Sequence, residues 1–337
     1  MAVTPAQPVF HFVPDRTITY SADWDLKSAN RVRINRAGFA SLHEYAADER
    51  RPVVALVGDS YIEGLIVPQP QTMGSRLSEI AAPDLAVYAF AASGAPLSQY
   101  VAWAEHAKKR YGARGAVFLV VGNDFDESLA SVKQGPGFHH FVEEGDELRL
   151  KLFPYHPNPR RKLVFGSALG RYLVFNLKVL SLPSRLDRYW QDRATTEVTN
   201  EAAPVFVGNT VARADPPRIA SSERAVDAFL RELKTRTGWR PDRVMFVLDG
   251  MRDYTETGLT HDDSSYFARM RTYLAGAAQR AGHQVVDMHP IFSEHFSVHR
   301  QRFEHPHDGH WNGLAHGLAA KAVAESGFLT PRYWQQP

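Results

Sequence analysis

The chain has 337 residues, of which 44 % are hydrophobic, so it can bury one large core or two modest ones. Its 39 basic and 37 acidic side chains leave a net charge of +2, which disfavours the basic surface of a nucleic-acid-binding protein. The chain contains no cysteine, which excludes disulfides, thiolate metal sites and cysteine nucleophiles.

The N-terminal sequence and the hydropathy pattern contain neither an export signal nor a membrane span. Residues 1–15 lack the basic region and the apolar stretch of a signal peptide. No window holds about 18 uninterrupted apolar residues. We therefore expect a cytoplasmic location by default, or a periplasmic one if an export segment has been removed. We also expect residues 1–50 to form an extension that packs on the core, and residues 51–337 to form the main domain.

Five short apolar runs, rich in Val and Leu, predict buried strands along the main domain. Their apolarity is continuous rather than alternating, which is typical of strands covered on both faces in a parallel sheet. Helical patterns separate the runs, so we predict an α/β fold with three α/β/α layers, flavodoxin-like, around a mostly parallel five-stranded sheet. The predicted strands are 52–58, 85–90, 115–122, 243–250 and 283–289, and the predicted helices are 72–82, 96–112, 221–238 and 264–282.

An insertion at about 130–215 interrupts this alternation. The sequence of residues 139–153 alternates around Gly145 and predicts a β-hairpin. An apolar run at 167–182 predicts a helix, and the sequence at 195–217 predicts a loop. We expect the insertion to form a cap beside the functional site rather than an independent domain.

Small or polar residues follow the first three predicted strands, where open parallel sheets bind ligands. Ser60 follows the first strand in Gly-Asp-Ser, Gly94 follows the second, and Asn123 follows the third in Gly-Asn-Asp. Asp308 and His310 lie near the C-terminus in Asp-Gly-His-Trp. The carboxyl ends of parallel strands meet at one edge of a sheet, so we expect these residues to lie together.

These residue types together predict nucleophilic catalysis of acyl transfer. A serine hydroxyl needs a neighbouring base to accept its proton, and His310 is the candidate base for Ser60. Asp308 is the candidate that orients His310 and stabilises its imidazolium form. The candidate donors to an oxyanion are the backbone N–H groups of Ser60 and Gly94 and the side-chain amide of Asn123.

The four sequence blocks resemble those of the SGNH hydrolases, also called the GDSL esterase/lipase family. The resemblance spans residues 52 to about 325 apart from the insertion. It implies a serine nucleophile, an oxyanion hole and no cofactor on the predicted fold. The residues that match the Ser, Gly, Asn and His of the family are Ser60, Gly94, Asn123 and His310.

Two departures from the family pattern leave the reaction open. The usual family spacing is Asp-x-x-His, whereas Asp308 and His310 are two residues apart. The Asp-Gly-His-Trp sequence instead resembles the Asp-x-His-Trp element of polysaccharide O-acetyltransferases related to alginate acetylation. The resemblances therefore imply either ester hydrolysis or transfer of an acetyl group to a glycan hydroxyl. Ile62 stands where G-x-S-x-G has its last glycine, which disfavours a standard α/β-hydrolase turn.

Two other classes of function compete with a serine enzyme. A metal-dependent hydrolase is one of these classes, because four potential zinc ligands occur within six residues. A binding protein that has lost catalysis is the other class, although a pure binder needs no nucleophile, base, acid and oxyanion donors together. The metal-dependent class does not account for the serine, glycine and asparagine blocks. The potential zinc ligands are His305, His307, Asp308 and His310.

Other polar residues near the predicted strand ends are candidate substrate contacts or structural groups. The candidate contacts are Asp59, Asp249, Arg252 and Trp311. The alternative for Asp59 is to accept hydrogen bonds from backbone N–H groups of its own loop, and the alternative for Asp249 and Arg252 is to pair with each other. We predict structural roles for Asp124, Asp126, His139, His140 and His316.

The predicted substrate is a carboxylic ester of a small molecule or a carbohydrate. An O-acetyl or other short-acyl ester is the first choice because it needs the smallest pocket. The chain has no G-x-x-x-x-G-K-[ST] loop and no G-x-G-x-x-G turn after a strand, which disfavours nucleotide chemistry. We expect no cofactor, no metal and no nucleic-acid partner, and the sequence indicates no oligomeric state.

Overall fold

The computed structural model describes residues 3, 9–22, 25–26, 28–156, 158–177, 214–260, 262–306 and 308–335. The strands are β1 Arg16–Ala22, β2 Ser28–Ile34, β3 Val53–Gly58, β4 Ala86–Ala91, β5 Gly115–Val120, β6 His139–Glu144, β7 Glu147–Leu152, β8 Val244–Leu248, β9 Asp253–Tyr254, β10 Leu259–Thr260, β11 Gln284–Asp287, β12 Glu304–His305 and β13 Asp308–Trp311. The helices are α1 Ser60–Glu63, α2 Met73–Ala81, α3 Leu97–Tyr111, α4 Pro159–Gly166, α5 Ala168–Arg171, α6 Pro216–Thr237, α7 Tyr266–Arg280, α8 Met288–His299, α9 Gly313–Glu325 and α10 Pro331–Gln335.

The central sheet has five parallel strands in the order β11-β8-β5-β3-β4. Numbered along the chain, these strands have the order 2-1-3-4-5, which is that of flavodoxin-like folds. The predicted fold class is therefore confirmed. The direction of winding reverses at β3, between its neighbours β4 and β5, and such a switch point opens a crevice at the carboxyl ends of the strands. The segments that follow β3, β4 and β5 border this crevice.

Helices cover both faces of the sheet because successive strand residues point to opposite sides. On β3, Val53, Ala55 and Val57 belong to an apolar cluster that includes residues of α3, α6 and α7. Val54 and Leu56 belong to a second cluster, with residues of α2, α8 and α9. Burial on both faces explains why the sequence of each strand is continuously apolar.

The N-terminal segment joins the core through aromatic side chains. Its strands β1 and β2 form an antiparallel pair. Beyond β2, the ring of Phe39 packs edge-on against Phe90 of β4 at 4.9 Å between centroids. The hydroxyl of Tyr45 donates to the carbonyl of Ala89 at 2.8 Å. The division of the chain into an extension and a main domain stays a prediction.

The inserted segment starts with the predicted hairpin, in which β6 and β7 pair antiparallel around Gly145 at a φ of +62°. Of the predicted helix at 167–182, the described part contains α5 and a π-helical turn at Tyr172–Asn176, and residues 178–182 lie outside the described residues. Of the predicted loop at 195–217, residues 195–213 also lie outside them.

The end of that predicted loop is wrong, because α6 begins at Pro216, five residues before the predicted start at 221. The side chain of Asp215 accepts from the backbone N–H of Arg218 at 3.0 Å and caps the helix. Proline has no N–H and a fixed φ, so Pro216 and Pro217 fit a first turn in which N–H groups have no helical partner. Among the described helices, none combines the length and apolarity needed to cross a membrane.

Candidate active site

A tight turn after β3 places Ser60 at the start of α1. Gly58 has no side chain, and a Cβ there would lie 2.4 Å from Cγ1 of Ile62. Asp59 caps the short helix by accepting from the backbone N–H of Tyr61 at 2.9 Å. The absence of a side chain at position 58 therefore lets α1 fold back against the strand end, with the Ser60 hydroxyl at the crevice.

Ser60, His310 and Asp308 form a continuous chain of hydrogen bonds. Nε2 of His310 lies 2.7 Å from Oγ of Ser60, and Nδ1 of His310 contacts Oδ1 of Asp308. An ionised carboxylate only accepts, so the proton of the neutral ring lies on Nδ1 and Nε2 is free to accept from Ser60. Burial alone would raise the pKa of Asp308, but the bonds and charge of His310 leave that pKa below its usual value.

The two-residue spacing of Asp308 and His310 follows from their position on β13. Residues i and i+2 of a strand point to the same side, so Asp308 contacts the His310 ring, which in turn contacts Ser60. The backbone N–H of His310 also donates to Oδ1 of Asp308 at 2.9 Å. Trp311 points to the other side and is buried in the core. An extended strand therefore replaces the longer Asp-x-x-His spacing.

Asp59 accepts a hydrogen bond from a backbone N–H group of its own loop, as the second interpretation of this residue predicts. Its side chain is buried, and Oδ2 lies 3.2 Å from Oγ of Ser60. Burial raises the pKa of Asp59, and the backbone N–H of Tyr61 and the nearby His310 partly oppose this effect. The hydroxyl of Ser60 thus has two possible acceptors, and the nearer of them is His310.

The other candidate oxyanion donors lie in the segments after the two neighbours of β3. Gly94, after β4, has a φ of +76°, which favours glycine. Asn123, after β5, donates from Nδ2 to Oε2 of Glu127 at 3.2 Å. Lys133 joins the two segments, since Nζ donates to the carbonyl of Gly94 at 3.0 Å and pairs with Glu127. The structure thus connects Gly94 with Asn123 through two residues that the sequence analysis did not identify.

Three candidate substrate contacts lie in the interior, and that prediction needs correction. Asp249, Arg252 and Trp311 are 1 %, 3 % and 0 % exposed. Nη2 of Arg252 donates to Oδ2 of Asp249 at 3.0 Å, and Nε1 of Trp311 donates to Oδ1 of Asp249 at 2.8 Å. A substrate cannot reach side chains that are covered and paired in this way. Asp249 and Arg252 pair with each other, as their alternative interpretation describes.

This buried group of side chains bonds to β13 on both sides of His310 in the sequence. The hydroxyl of Tyr61 accepts from Nη2 of Arg252 at 2.7 Å and donates to the carbonyl of Gly309 at 3.3 Å. Gly309 lies between the two polar residues of β13, and Trp311 follows them. Burial raises the pKa of Asp249, and the charge of Arg252 opposes this rise. Tyr61, Asp249 and Arg252 therefore hold both ends of the segment that carries His310.

Glu63 is a buried carboxyl group close to the site. The residue is 4 % exposed, and Oε2 accepts from the backbone N–H of Ser93 at 2.9 Å and from the hydroxyl of Ser93. Burial raises the pKa of Glu63 to about 7, although the bonds from Ser93 lower it. Tyr61 and Glu63 had no signal in the sequence beyond their closeness to Ser60.

The residues predicted to be structural make internal contacts. The carboxylate of Asp124 accepts from the hydroxyl of Tyr100 at 3.0 Å and that of Asp126 pairs with Arg218. His316 is buried and accepts from the backbone N–H of Met73 at 3.3 Å. Burial lowers the pKa of His316 to about 3, which keeps its ring neutral. Both nitrogens of His140 bond to backbone groups, and His139 bonds to Gln99.

The potential zinc cluster is only partly described. His305 and Asp308 are opposite each other in the register of the β12–β13 strand pair. His307 lies outside the described residues. Within the described ranges, no group of three or more His, Cys, Asp or Glu side chains has the arrangement to hold a metal ion.

Comparisons with known proteins show only distant similarity. No family model matches the chain, and no curated protein matches it. A lipase from a goat rumen metagenome is 11 % identical with a TM-score of 0.43, over 83 % of this chain and 99 % of that one. The acetyl xylan esterase AlAXEase is 8 % identical with a TM-score of 0.41, over 81 % of this chain and 98 % of that one. A Corynascus thermopiles carbohydrate esterase family 2 enzyme is 12 % identical with a TM-score of 0.40, over 87 % of this chain and 69 % of that one. Similarities this low do not establish a family.

Proposed function

We propose that the chain is a serine hydrolase that cleaves carboxylic esters through an acyl-serine intermediate. The observation that carries the proposal is the continuous contact from Ser60 through His310 to Asp308 at the switch point of the sheet. A nucleophile, its base and the group that orients the base are in hydrogen-bond reach of each other, as this chemistry requires.

In the first half of the reaction, His310 Nε2 takes the proton of Ser60 as Oγ attacks the ester carbonyl carbon. The carbonyl oxygen becomes an oxyanion, which accepts from the N–H groups of Ser60 and Gly94 and from Nδ2 of Asn123. Asp308 stabilises the imidazolium that forms. The tetrahedral intermediate then expels the alkoxide, which takes the proton from His310, and the acyl group stays on Ser60.

In the second half, His310 takes a proton from water, and the resulting hydroxide attacks the acyl-serine. The second oxyanion occupies the same donors, and its collapse releases the carboxylic acid while His310 returns the proton to Ser60. An O-acyltransferase is the second candidate, because a glycan hydroxyl in place of water uses the same residues. The observation that favours this candidate is the Asp-Gly-His-Trp sequence on β13, which resembles an element of polysaccharide O-acetyltransferases.

The substrate class in this proposal is a short-acyl ester, in particular an O-acetyl ester of a carbohydrate. A cavity of about 350 Å³ lies beside the two-stranded β12–β13 sheet, a size that small-molecule sites have. Its lining contains the amide side chains of Asn30, Gln71 and Asn312 next to apolar residues, but none of the candidate catalytic or oxyanion residues. The Nδ2 groups of Asn30 and Asn312 already donate to backbone carbonyls, so the choice of a short-acyl ester rests on the small pocket that an acetyl group needs.

The test is turnover of p-nitrophenyl acetate by the wild type, Ser60→Ala and His310→Ala, each with and without EDTA. We expect both variants to lose at least about a thousandfold in kcat, with no effect of EDTA. Ser221→Ala is the matched control that keeps its activity, since Ser221 is a half-buried serine on α6 whose hydroxyl donates to the carbonyl of Pro217 at 2.9 Å.

Product analysis by mass spectrometry separates the candidates. An acetyl adduct on Ser60 and free acetate support the hydrolase, whereas an acetylated sugar formed from an added hydroxyl acceptor assigns the chain to acyl transfer. Turnover that survives Ser60→Ala and stops with EDTA overturns the serine mechanism in favour of a metal site.

A further inference from the structure

Glu127 and Lys133 form an ion pair between the two segments that carry Gly94 and Asn123. The two side chains are 32 % exposed for Lys133 and 27 % for Glu127. An ion pair that water reaches to this extent contributes little to stability. Both partners, however, also bond to the candidate oxyanion hole: Lys133 to the carbonyl of Gly94 and Glu127 to the amide of Asn123. The pair therefore bears on how these two donors are oriented.

Glu127 determines which end of the Asn123 amide faces it. A carboxylate oxygen only accepts, and Nδ2 of Asn123 donates to Oε2 of Glu127 at 3.2 Å. A flipped amide would place its oxygen against the carboxylate and be repelled. The second hydrogen of Nδ2 is then available to an oxyanion. Oδ1 of Asn123 is buried with no hydrogen-bond partner among the described residues, so no other bond holds that end of the amide.

Lys133 and Glu63 bond to two successive residues of the Gly94 loop. Nζ of Lys133 donates to the carbonyl of Gly94 at 3.0 Å, and Glu63 accepts from the N–H of Ser93 at 2.9 Å. The peptide unit that contains the N–H of Gly94 lies between these two fixed points. Glycine at a φ of +76° has many accessible conformations, so bonds on both sides are needed to aim its N–H.

The inserted hairpin keeps Lys133 in place. His140 of β6 is completely buried, and its ring contacts the carbonyl of Glu127 at 2.9 Å through Nδ1. Its Nε2 accepts from the N–H of Gly135 at 2.8 Å. These two bonds enclose the loop that carries Lys133. Burial lowers the pKa of His140, so the ring stays neutral with a proton on Nδ1, as these two bonds require.

We propose that Glu127 and Lys133 are positioning residues for the oxyanion hole, and that the inserted hairpin supports them. Glu127 orients the Asn123 amide, and Lys133 fixes the Gly94 loop while it neutralises Glu127. The insertion thereby acts on transition-state stabilisation instead of serving only as a cover. The proposal rests on the proposed function, because it presupposes an oxyanion at these donors.

The test is a double-mutant cycle on p-nitrophenyl acetate turnover. Glu127→Ala and Lys133→Met are each expected to lower kcat about ten- to hundredfold, less than the loss of a whole oxyanion donor, with KM changed less than about twofold because ground-state binding is unaffected. Glu127→Gln is expected to regain most of the activity, since its amide oxygen still accepts from Asn123. The double variant Asn123→Ala/Glu127→Ala is expected to lose no more than Asn123→Ala alone.

The matched control is Lys151→Met, which breaks an ion pair with Glu144 in the same hairpin and is expected to leave kcat unchanged. Losses that add in the cycle, or an unchanged kcat in both Lys133→Met and Glu127→Ala, overturn the positioning role. Equal losses in kcat and in thermal stability for Lys133→Met and Lys151→Met also overturn it. If Ser60→Ala keeps its turnover, the proposed function fails; if Ser60→Ala is inactive and the cycle is additive, only the present inference fails.

Discussion

An ion pair holds each side of the candidate site, and the two pairs differ in their exposure to water. The His310 side is the part around β13, and the oxyanion side is the part around Gly94 and Asn123. On the His310 side, the side chains of Arg252 and Asp249 are 0 % and 1 % exposed. On the oxyanion side, those of Lys133 and Glu127 are 32 % and 27 % exposed. Water compensates a charge that loses its partner at the surface, but not one in the interior. Changes on the His310 side should therefore damage both fold and activity, whereas changes to the exposed pair should affect activity alone.

Asp249→Asn is the strongest test of this difference. Asparagine keeps an oxygen that can accept from Trp311 and from the backbone N–H of Gly250, but it removes the charge opposite Arg252. An uncompensated guanidinium in the interior costs about 3–5 kcal/mol, so we expect a loss of this size in the free energy of unfolding. Urea denaturation measures it, and the same preparation should also lose kcat.

The control for that prediction removes both charges. Asp249→Leu/Arg252→Met leaves no unpaired charge, and paired buried charges can often be replaced by apolar groups at small cost. We expect the double variant to be more stable than Asp249→Asn. If Asp249→Asn costs less than about 1 kcal/mol, within the range of surface pairs, the contrast between the two sides is wrong.

Glu63 sharpens the comparison because it is a buried acid on the oxyanion side. Its pKa in the folded protein is about 7, above the ordinary value of 4.5. Between these two pH values the folded state holds more protons than the unfolded state, so the contribution of Glu63 to stability is lost as pH rises from 4.5 to 7. At about 1.4 kcal/mol per pKa unit, Glu63→Gln should gain on the order of 3 kcal/mol relative to the wild type between pH 4 and pH 8.

The measurement is the difference in unfolding free energy between variant and wild type at several pH values. The difference cancels the other titrating groups, including the neutral His316, whose lowered pKa acts in the opposite direction. Glu79→Gln, an exposed acid on α2, is the matched control and should show a constant difference. A constant difference for Glu63→Gln as well would mean that burial does not perturb this carboxyl.

What the sequence predicted was set by local pattern, and what it missed was set by contacts between distant segments. The strand of residues 53–58 is apolar on both faces, so its burial could be read directly, and Ser60 follows from its place after that strand. The pairing of Asp249 with Trp311 joins residues 62 positions apart, and the bond from Lys133 to Gly94 spans 39 positions. No spacing rule within one element predicts such contacts.

The start of α6 shows a different limit. Prolines at 216 and 217 read as loop residues because proline breaks the interior of a helix, yet the first turn accepts them. The buried state of Arg252 is a third case, because charged side chains are almost always exposed unless they are paired. Both the prolines in α6 and the burial of Arg252 depend on where the residue lies in the folded chain, and tertiary packing determines that place.

Tyr61→Phe is the most delicate test of the His310 side, because it removes one oxygen and no charge. The lost hydroxyl accepts from Arg252 and donates to the carbonyl of Gly309, so β13 loses a support next to His310. We expect a stability loss of about 1 kcal/mol and, because the base is less well placed, a loss of about tenfold in kcat.

Tyr45→Phe is the matched control, since its buried hydroxyl bonds to the backbone of Ala89 away from β13. It should lose similar stability and keep its kcat. Equal kcat in the two variants would show that Tyr61 supports the fold but does not position His310, and the buried network would then be structural only.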